Sequence, residues 1–379
     1  MTMNRRGVLR QLAGGMAACG LLPKFYVGLE AGRGGTAPAA KGSQRIRLDL
    51  NENAYGASPQ VVALLRDSAN QANHYPEPTA GLTEALARHH GVSGDQIIIG
   101  CGCSEVLRMA AGAFLGPGKK LVLGAPTFDL IASYGATKRA DVIRVPLLKN
   151  YACDLEGMVS QMGEAAGVIY ICNPNNPTGT LTERKEIEKF LERLPVTAYA
   201  IIDEAYHEYA GGSGAYASFL EQGVDHPRLI VTRTFSMAYG LAALRVGYAV
   251  ASKETAGRMA VESLPYGVNR LGQVAAAKAL EDAGHVRKCV ESNARDRQEF
   301  LNQVNARMLR ALNSHTNFVC MKGMRPAEEV IEHFRKNNIT LAAAIPEMPT
   351  YIRISLGRPE EMREFWRVWD LQGPQSMAM

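Results

Sequence analysis

Polar side chains follow five apolar runs of this 379-residue sequence, each at the point where a run ends. The polar segments read GCGCSE (100–105), APTF (125–128), CNPNNPTG (172–179), DEAY (203–206) and TFSM (234–237). If the apolar runs are strands, these segments lie at carboxyl ends, where open α/β sheets bind ligands. The spacing therefore predicts one shared site at one edge of a sheet.

Asp203 ends the apolar run AYAIID, with Tyr206 three residues further along. A carboxylate in such a position needs a cationic or hydrogen-bonding partner to offset its loss of water. A protonated heterocyclic nitrogen would be such a partner. The alternative is a structural aspartate that caps the following helix.

Two hydroxyls and a guanidinium, those of Thr234, Ser236 and Arg245, are suited to a phosphate dianion because arginine makes planar bidentate contacts. The glycine-rich start of a helix at Cys103 and Ser104 adds free backbone N–H donors. Each feature has a plain alternative, either a polar turn beside a surface arginine or a glycine-rich turn.

CNPNNPTG is the more specific motif, because two Asn-Pro pairs enforce a rigid turn at a strand end. The turn fixes Asn176 for hydrogen bonding. An ordinary Asn/Pro loop would explain the turn but not the other polar segments around it.

Apolar runs alternate with helical patterns from about residue 80, which predicts a mostly parallel sheet covered on both faces. The runs cover residues 96–100, 120–126, 142–147, 167–174, 198–204, 229–236 and 245–252. Beyond about residue 270, long helices precede short strands, which indicates a smaller α+β domain. We expect an export-like segment (1–40), an arm and first helix packing with the small domain (41–75), a large domain (76–270) and a small domain (271–379).

Composition excludes several classes of protein. The net charge of +5 is mild and the basic residues are scattered, so a nucleic-acid partner has little support. No run after the N-terminus has the length of a membrane span. Seven cysteines fit neither a disulfide framework nor a paired metal pattern, and no metal site is predicted.

The N-terminus places Arg5-Arg6 before a weakly hydrophobic, Gly/Ala-rich run with small residues near Ala40. This pattern resembles a twin-arginine export signal and predicts a periplasmic or exported protein. The alternatives are a cytoplasmic protein with a disordered tail, or a lipid anchor at Cys19.

In their order and spacing, these motifs resemble fold-type I pyridoxal-phosphate enzymes, the class I/II aminotransferases, and their histidinol-phosphate aminotransferase-like branch. The resemblance covers residues 45–371 and also rests on LNENAYGASP, YPEP and YIRISLG. It implies a three-layer α/β/α large domain and a homodimer that uses pyridoxal 5'-phosphate. The implied reaction transfers an amino group between an amino acid, or an imidazolyl or aromatic amine, and a 2-oxo acid.

The same resemblance assigns roles to individual residues. Asp203 would hold the ring nitrogen protonated, Asn176 and Tyr206 would bind the phenolic oxygen, and Phe128 would stack on the ring. Arg353 would bind the substrate carboxylate, with Asn176 beside it. The phosphate would be bound by Cys103, Ser104, Thr234, Ser236 and Arg245, and by Tyr55 of the other subunit.

Met237 departs from the pattern, because the family places there the lysine that forms a Schiff base with the cofactor. A thioether has neither amine nor titratable proton. Three interpretations remain open: an engineered Lys-to-Met variant, a slow natural relative using another base, and a pseudoenzyme that binds pyridoxal phosphate, its pyridoxamine form or an amino-acid adduct. Another α-carbon reaction, decarboxylation or β-elimination, is a further alternative.

Overall fold

The structure, a computed structural model, describes residues 45–76, 81–221 and 226–372. All of them fall within one compact unit, Ser43–Met379. The export-like segment and Cys19 lie outside the described residues.

Strands and helices alternate through most of the chain. The described strands are β1 (Ile46–Leu48), β2 (Ile97–Cys101), β3 (Lys120–Ala125), β4 (Asp141–Pro146), β5 (Gly167–Cys172), β6 (Ala198–Asp203), β7 (Leu229–Thr234), β8 (Val246–Ala251), β9 (Arg310–Ala311), β10 (Phe318–Lys322), β11 (Ile339–Leu341) and β12 (Tyr351–Ser355). The described helices are α1 (Pro59–Ser68), α2 (Leu82–His90), α3 (Gly102–Phe114), α4 (Leu130–Thr137), α5 (Leu155–Met162), α6 (Arg184–Glu192), α7 (His207–Ala210), α8 (Lys253–Ala260), α9 (Arg270–Glu281), α10 (Ala283–Ala306), α11 (Ala327–Lys336) and α12 (Pro359–Asp370).

The main sheet has seven strands in the order β2-β8-β7-β6-β5-β3-β4. Strands β4, β3, β5, β6 and β7 pair in parallel, whereas β8 is antiparallel to both of its neighbours. The prediction of a mostly parallel sheet is therefore confirmed.

Both faces of this sheet are buried, which explains why its strands are apolar throughout. Along β5, Ile169 and Ile171 pack on one face with residues of α1, α2, α5, α6 and α9. Val168 and Tyr170 alternate with them and pack on the other face with α3, α4 and α8. The result is the expected three-layer α/β/α arrangement.

Two smaller sheets complete the fold. Strand β1 pairs in parallel with β11, with Ile46 opposite Ile339. Strands β12, β10 and β9 form an antiparallel sheet. A separate core that includes Phe334, Phe365 and Trp366 packs α10, α11 and α12 against these strands.

Helix α1 is shorter than the sequence predicts. The segment PQVVALLRDSANQANHYPEP (59–78) predicts one helix that ends at the prolines at 76 and 78. In the structure α1 ends at Ser68 and continues only as a short 3₁₀ turn, Ala69–Gln71. Residues 69–75 are all exposed. Without an apolar face to bury, further helical turns gain little from tertiary packing.

Candidate functional site

The five predicted polar segments meet at one edge of the seven-stranded sheet, at the carboxyl ends of β2, β3, β5, β6 and β7. Arg245 precedes β8 instead of following a strand. Because β8 is antiparallel, with Val246 opposite Cys101 and Gly247 opposite Thr234, its beginning lies at this same edge. The direction of one strand thus brings the predicted arginine to the site.

Asp203 lies at the end of β6 and is only 2% exposed. Its Oδ2 accepts a hydrogen bond of 2.8 Å from the Tyr170 hydroxyl, and its Oδ1 accepts one of 3.2 Å from the Ala205 backbone N–H. The Cys103 thiol lies 4.0 Å from Oδ1. Burial raises the pKa of Asp203, so a cationic partner would find here a carboxylate that water does not stabilise.

Asn176 and Tyr206 lie together as predicted. The Asn176 side-chain amide donates to the Tyr206 hydroxyl at 3.3 Å, and the Asn51 amide donates to that same hydroxyl at 2.9 Å. Burial raises the pKa of Tyr206, so this phenol stays protonated and can donate to an acceptor.

Arg353 approaches the same group from β12. Its Nη1 donates to Asn176 Oδ1 at 2.6 Å and its Nη2 donates to the Asp49 carbonyl at 2.5 Å. The buried Nε has no hydrogen-bond partner within the described part of the chain. Burial lowers the pKa of this guanidinium, so an incoming carboxylate would stabilise its charge.

The predicted anion-binding residues cluster around Arg245. Its Nη1 donates to Ser236 Oγ at 3.4 Å and to the Ala242 carbonyl at 3.0 Å, while the Ser236 backbone N–H donates to Thr234 Oγ1 at 3.1 Å. Arg245 has φ of +55°, a left-handed conformation that costs energy for a residue other than glycine.

Two glycines allow helix α3 to lie close to Arg245 and β8. A Cβ on Gly102, whose φ is +73°, would collide with the Arg245 guanidinium, and one on Gly247 would collide with the Cys103 backbone. The Gly102 N–H donates to the Arg245 carbonyl at 3.0 Å, and the N–H groups that follow it in the first turn of α3 have no acceptor within their own helix. They therefore supply donors beside the arginine, and Cys103 links this group to Asp203.

Met237 follows directly on Ser236 and is partly buried. Its side chain packs with an apolar cluster that contains Tyr206, Tyr209 and Phe318. Met237 thus packs in the same cluster as the phenol predicted to bind the cofactor. That it occupies the position of the Schiff-base lysine stays a prediction.

The side chains of three predicted residues make no hydrogen bond, within the described part of the chain, to the groups described above. Phe128 is partly buried against the core on one face of the sheet, and Ser104 lies in the first turn of α3. Tyr55 donates a hydrogen bond of 2.5 Å to Asp296 within its own chain. The structure describes one chain, so the contact of Tyr55 with the phosphate bound in another subunit stays a prediction.

Sequence reasoning missed Tyr170, Asn51, Asn175 and Ser355. Asn175 joins two of the motifs, since its amide donates to the Pro126 carbonyl and its Oδ1 accepts from Thr127. Ser355 bonds to both the backbone N–H and the side chain of Asn51. The available signals were the hydroxyl of Tyr170 in an otherwise apolar strand and the polar run LNEN.

The edge thus offers three separate features: a buried carboxylate for a ring cation, a paired amide and phenol for an oxygen, and a guanidinium with hydroxyls and N–H groups for an anion. Together they fit a phosphorylated nitrogen heterocycle with an oxygen substituent. Within the described residues, no group of three or more His, Cys, Asp or Glu side chains could hold a metal ion. In the same part of the chain, no helix is long and apolar enough to cross a membrane.

Known proteins are similar to this chain in sequence. The family model for aminotransferase class I and II matches residues 43–368. A histidinol-phosphate aminotransferase of Geobacillus thermodenitrificans is 35% identical over 84% of this chain and 87% of its own length. One from Bacillus cereus is 37% identical over 85% of this chain and 87% of its own length.

Known structures share the fold. A putative histidinol-phosphate aminotransferase from Erwinia carotovora superposes with a TM-score of 0.82 at 30% identity, covering 88% of this chain and 98% of that one. The Sinorhizobium meliloti histidinol-phosphate aminotransferase, solved in complex with pyridoxal-5'-phosphate, gives 0.80 at 28% identity, covering 87% and 90%. Family model, relatives and fold agree, and the chain belongs to the class I and II aminotransferases.

Proposed function

We propose that this chain binds pyridoxal 5'-phosphate at this edge and is an aminotransferase that transfers an amino group between an amino acid, or a related amine, and a 2-oxo acid. The observation that carries the proposal is Asp203, a buried carboxylate at a strand end, linked through Cys103 to the anion-binding group around Arg245. When bound, the cofactor supplies an aldehyde that condenses with amines and a ring that withdraws electrons from the substrate.

The chain's own residues hold the cofactor at three points. Asp203 would pair with the protonated ring nitrogen. Asn176 and Tyr206, which are hydrogen-bonded to each other, would donate to the ring oxygen. Arg245, Ser236 and the N–H groups of α3 bind the phosphate. Charge-assisted hydrogen bonds of this kind are about twice as strong as neutral ones, so the first and third contacts dominate affinity.

Arg353 binds the substrate's carboxylate. Its Nε is buried and lacks a partner in the described residues, so a carboxylate would fill an unmet donor. Asn176 and the Asp49 carbonyl fix the orientation of the guanidinium before the substrate arrives.

Met237 limits the proton transfers that the chain can perform. No proton can be held or moved at its sulfur. Losing one positioned acid–base group costs about 10²- to 10⁴-fold in rate. The second candidate function is therefore a protein that binds the cofactor or its adducts without efficient turnover, and Met237 beside Tyr206 is the observation that favours it.

For the substrate, we infer an imidazolyl or aromatic amine. The inference rests on the relatives, which are histidinol-phosphate aminotransferases at 35–37% identity. Screening amino donors against the chain with bound cofactor, by the change in cofactor absorption, tests it. A response confined to small aliphatic amino acids would contradict it.

We further propose a homodimer. An exposed apolar patch supports it: Tyr75 and Tyr266 are 76% and 62% exposed with ring centroids 4.7 Å apart, and Val261 and Leu264 are also exposed. Contiguous exposed apolar surface commonly marks a protein interface. Sedimentation of the chain and of a Tyr75→Ser/Tyr266→Ser variant tests this; a monomeric parent chain would refute it.

Export is proposed on the sequence of residues 1–40, where Arg5-Arg6 precedes a weakly hydrophobic run. Fractionation of cells that express the chain or its Arg5→Lys/Arg6→Lys variant is the test. Loss of export in the variant supports the twin-arginine interpretation. A parent chain found in the cytoplasm, or anchored to a membrane through Cys19, would contradict it.

Calorimetric titration with pyridoxal 5'-phosphate tests the cofactor site. We expect one molecule per chain and binding weakened about ten- to a hundredfold by Asp203→Asn, since a hydrogen bond to a charged group contributes about 1.5–3 kcal/mol. Asp141→Asn is the matched control, because Asp141 is exposed and begins β4 at the opposite edge of the sheet. No uptake by the parent chain would refute the proposed function.

A further inference from the structure

Tyr170 is a buried phenol that the roles above do not use. It lies within β5, is fully buried, and donates its hydroxyl to Asp203 Oδ2 at 2.8 Å. Strands β5 and β6 are parallel, with Cys172 opposite Asp203. Because side chains alternate along a strand, Tyr170 shares the face of Cys172 and reaches toward the site edge.

Both oxygens of the Asp203 carboxylate accept hydrogen bonds: Oδ2 accepts from Tyr170, and Oδ1 accepts from the Ala205 N–H and has the Cys103 thiol 4.0 Å away. Rotating the carboxylate about its Cβ–Cγ bond would break both contacts, so the two donors hold its plane. A carboxylate accepts through about four lone-pair sites, which leaves further sites for a ligand.

The hydrogen bond from Tyr170 also affects the charge of the Asp203 carboxyl group. Burial raises the pKa of Asp203, and the hydrogen bond from Tyr170 opposes that shift. Burial together with the neighbouring Asp203 charge raises the pKa of Tyr170 itself, so its hydroxyl stays protonated and acts as a donor. The contact therefore stabilises the ionised form of the carboxylate.

We propose that Tyr170 is a positioning residue, whose hydroxyl orients the Asp203 carboxylate and keeps it ionised so that the proton between Asp203 and the cofactor stays on the ring nitrogen. The inference rests on the proposed function. Without Tyr170, the carboxyl group would take a larger share of that proton, and the ring would withdraw electrons less strongly.

A purely structural role for Tyr170 predicts something different. Its ring belongs to the core on one face of the sheet, and phenylalanine would preserve that packing. Tyr248 provides a matched control, because it is a buried tyrosine of β8 whose hydroxyl lies 2.9 Å from His90 Nε2. Tyr248→Phe removes a buried hydroxyl without touching Asp203.

The experiment loads the chain with pyridoxal 5'-phosphate labelled with ¹⁵N in its ring and measures the ring-nitrogen chemical shift at neutral pH. In Tyr170→Phe we expect the shift to move toward that of the unprotonated ring, with the ratio of the two proton positions changed about tenfold. Tyr248→Phe should match the parent chain. Replacing Tyr170 by 3-fluorotyrosine, a stronger donor of nearly the same size, should move the chemical shift toward that of the protonated ring. This second variant keeps the test decisive even if Tyr170→Phe does not fold.

The outcomes separate the two proposals. If the parent chain binds the cofactor and neither change at Tyr170 moves the ring-nitrogen shift, the positioning role is wrong and the proposed function stands. If the shift moves equally in Tyr248→Phe, the effect is one of packing and the role is likewise wrong. A parent chain that takes up no cofactor overturns the proposed function and this inference with it.

Discussion

Restoring an amine at position 237 is the perturbation with the largest expected effect on activity. Met237 is partly buried beside Tyr206 and Phe318. Lysine has a similar length, and its methylenes can cover the same apolar surface while the amine reaches the polar side of the site. The cost in the free energy of unfolding is then that of placing a polar amine in a partly buried position, about 1–3 kcal/mol.

The effect on rate should be much larger. Arg353 is a partly buried cation close enough to Tyr206 to affect the pKa of that phenol, and it would lower the pKa of an amine placed beside them. A lowered pKa makes the amine both a better nucleophile and a usable base near neutral pH. We expect turnover to rise by about 10²- to 10⁴-fold from the acid–base role alone.

The assay combines turnover with chemical trapping. Both chains are incubated with pyridoxal 5'-phosphate, reduced with borohydride and digested, and the labelled peptide is mapped. Met237→Lys should carry the cofactor on the peptide containing position 237, and the parent chain should not. Met308→Lys is the control, because Met308 is 89% exposed and an amine there should gain neither label nor turnover.

Transamination by the parent chain at a rate comparable to that of Met237→Lys would refute this reasoning. So would a Met237→Lys chain that binds the cofactor but forms no reducible adduct, since the position would then lie out of reach of the aldehyde.

Three further substitutions test the surroundings of the site. Arg233→Met should lower the free energy of unfolding, measured with urea, by about 3–5 kcal/mol, because it leaves the buried Glu204 carboxylate without the cation that lies 2.9 Å away. A decrease below about 1 kcal/mol would contradict the pairing. Gly102→Ala should weaken calorimetric binding of pyridoxal 5'-phosphate about tenfold, since its φ is +73° and its Cβ would displace the neighbouring guanidinium. Gly116→Ala should not, because in the described part of the chain its added Cβ would meet nothing within 4 Å beyond the adjacent residues. Burial lowers the pKa of His207 to about 2, so the folded chain keeps this imidazole neutral, whereas the unfolded chain takes up a proton below about pH 6.5. The free energy of unfolding is therefore unaffected by His207 above that pH and decreases as the pH falls below it, by up to about 1.4 kcal/mol per pH unit. Urea midpoints from pH 6.5 to 4.5 should fall less steeply in His207→Asn, and equal slopes would contradict the assignment.

The strands of the main sheet, and the edge of that sheet at which the site lies, could be predicted because both depend on local sequence patterns. Apolar runs bounded by polar turns marked all seven strands of the main sheet, and strand-end segments placed Asp203, Asn176 and Ser236 at one edge. The position of Arg245 follows from β8 being antiparallel, which periodicity alone does not reveal.

The residues that sequence reasoning missed depend on long-range contacts. Tyr170 looks like any core aromatic until β5 and β6 are aligned and its hydroxyl meets Asp203, 33 residues later. Asn51 reaches Tyr206 across 155 residues and adopts φ of +56°, which no neighbouring residue signals. The early end of α1 likewise reflects exposure in the folded chain, a property set by tertiary packing.

A crystal structure of the chain soaked with pyridoxal 5'-phosphate tests the central claim most directly. We predict that the ring nitrogen will lie within hydrogen-bonding distance of Asp203, the phosphate against Arg245 and Ser236, and the Met237 sulfur near the aldehyde carbon. Cofactor bound elsewhere, or a ring whose nitrogen faces away from Asp203, would contradict it.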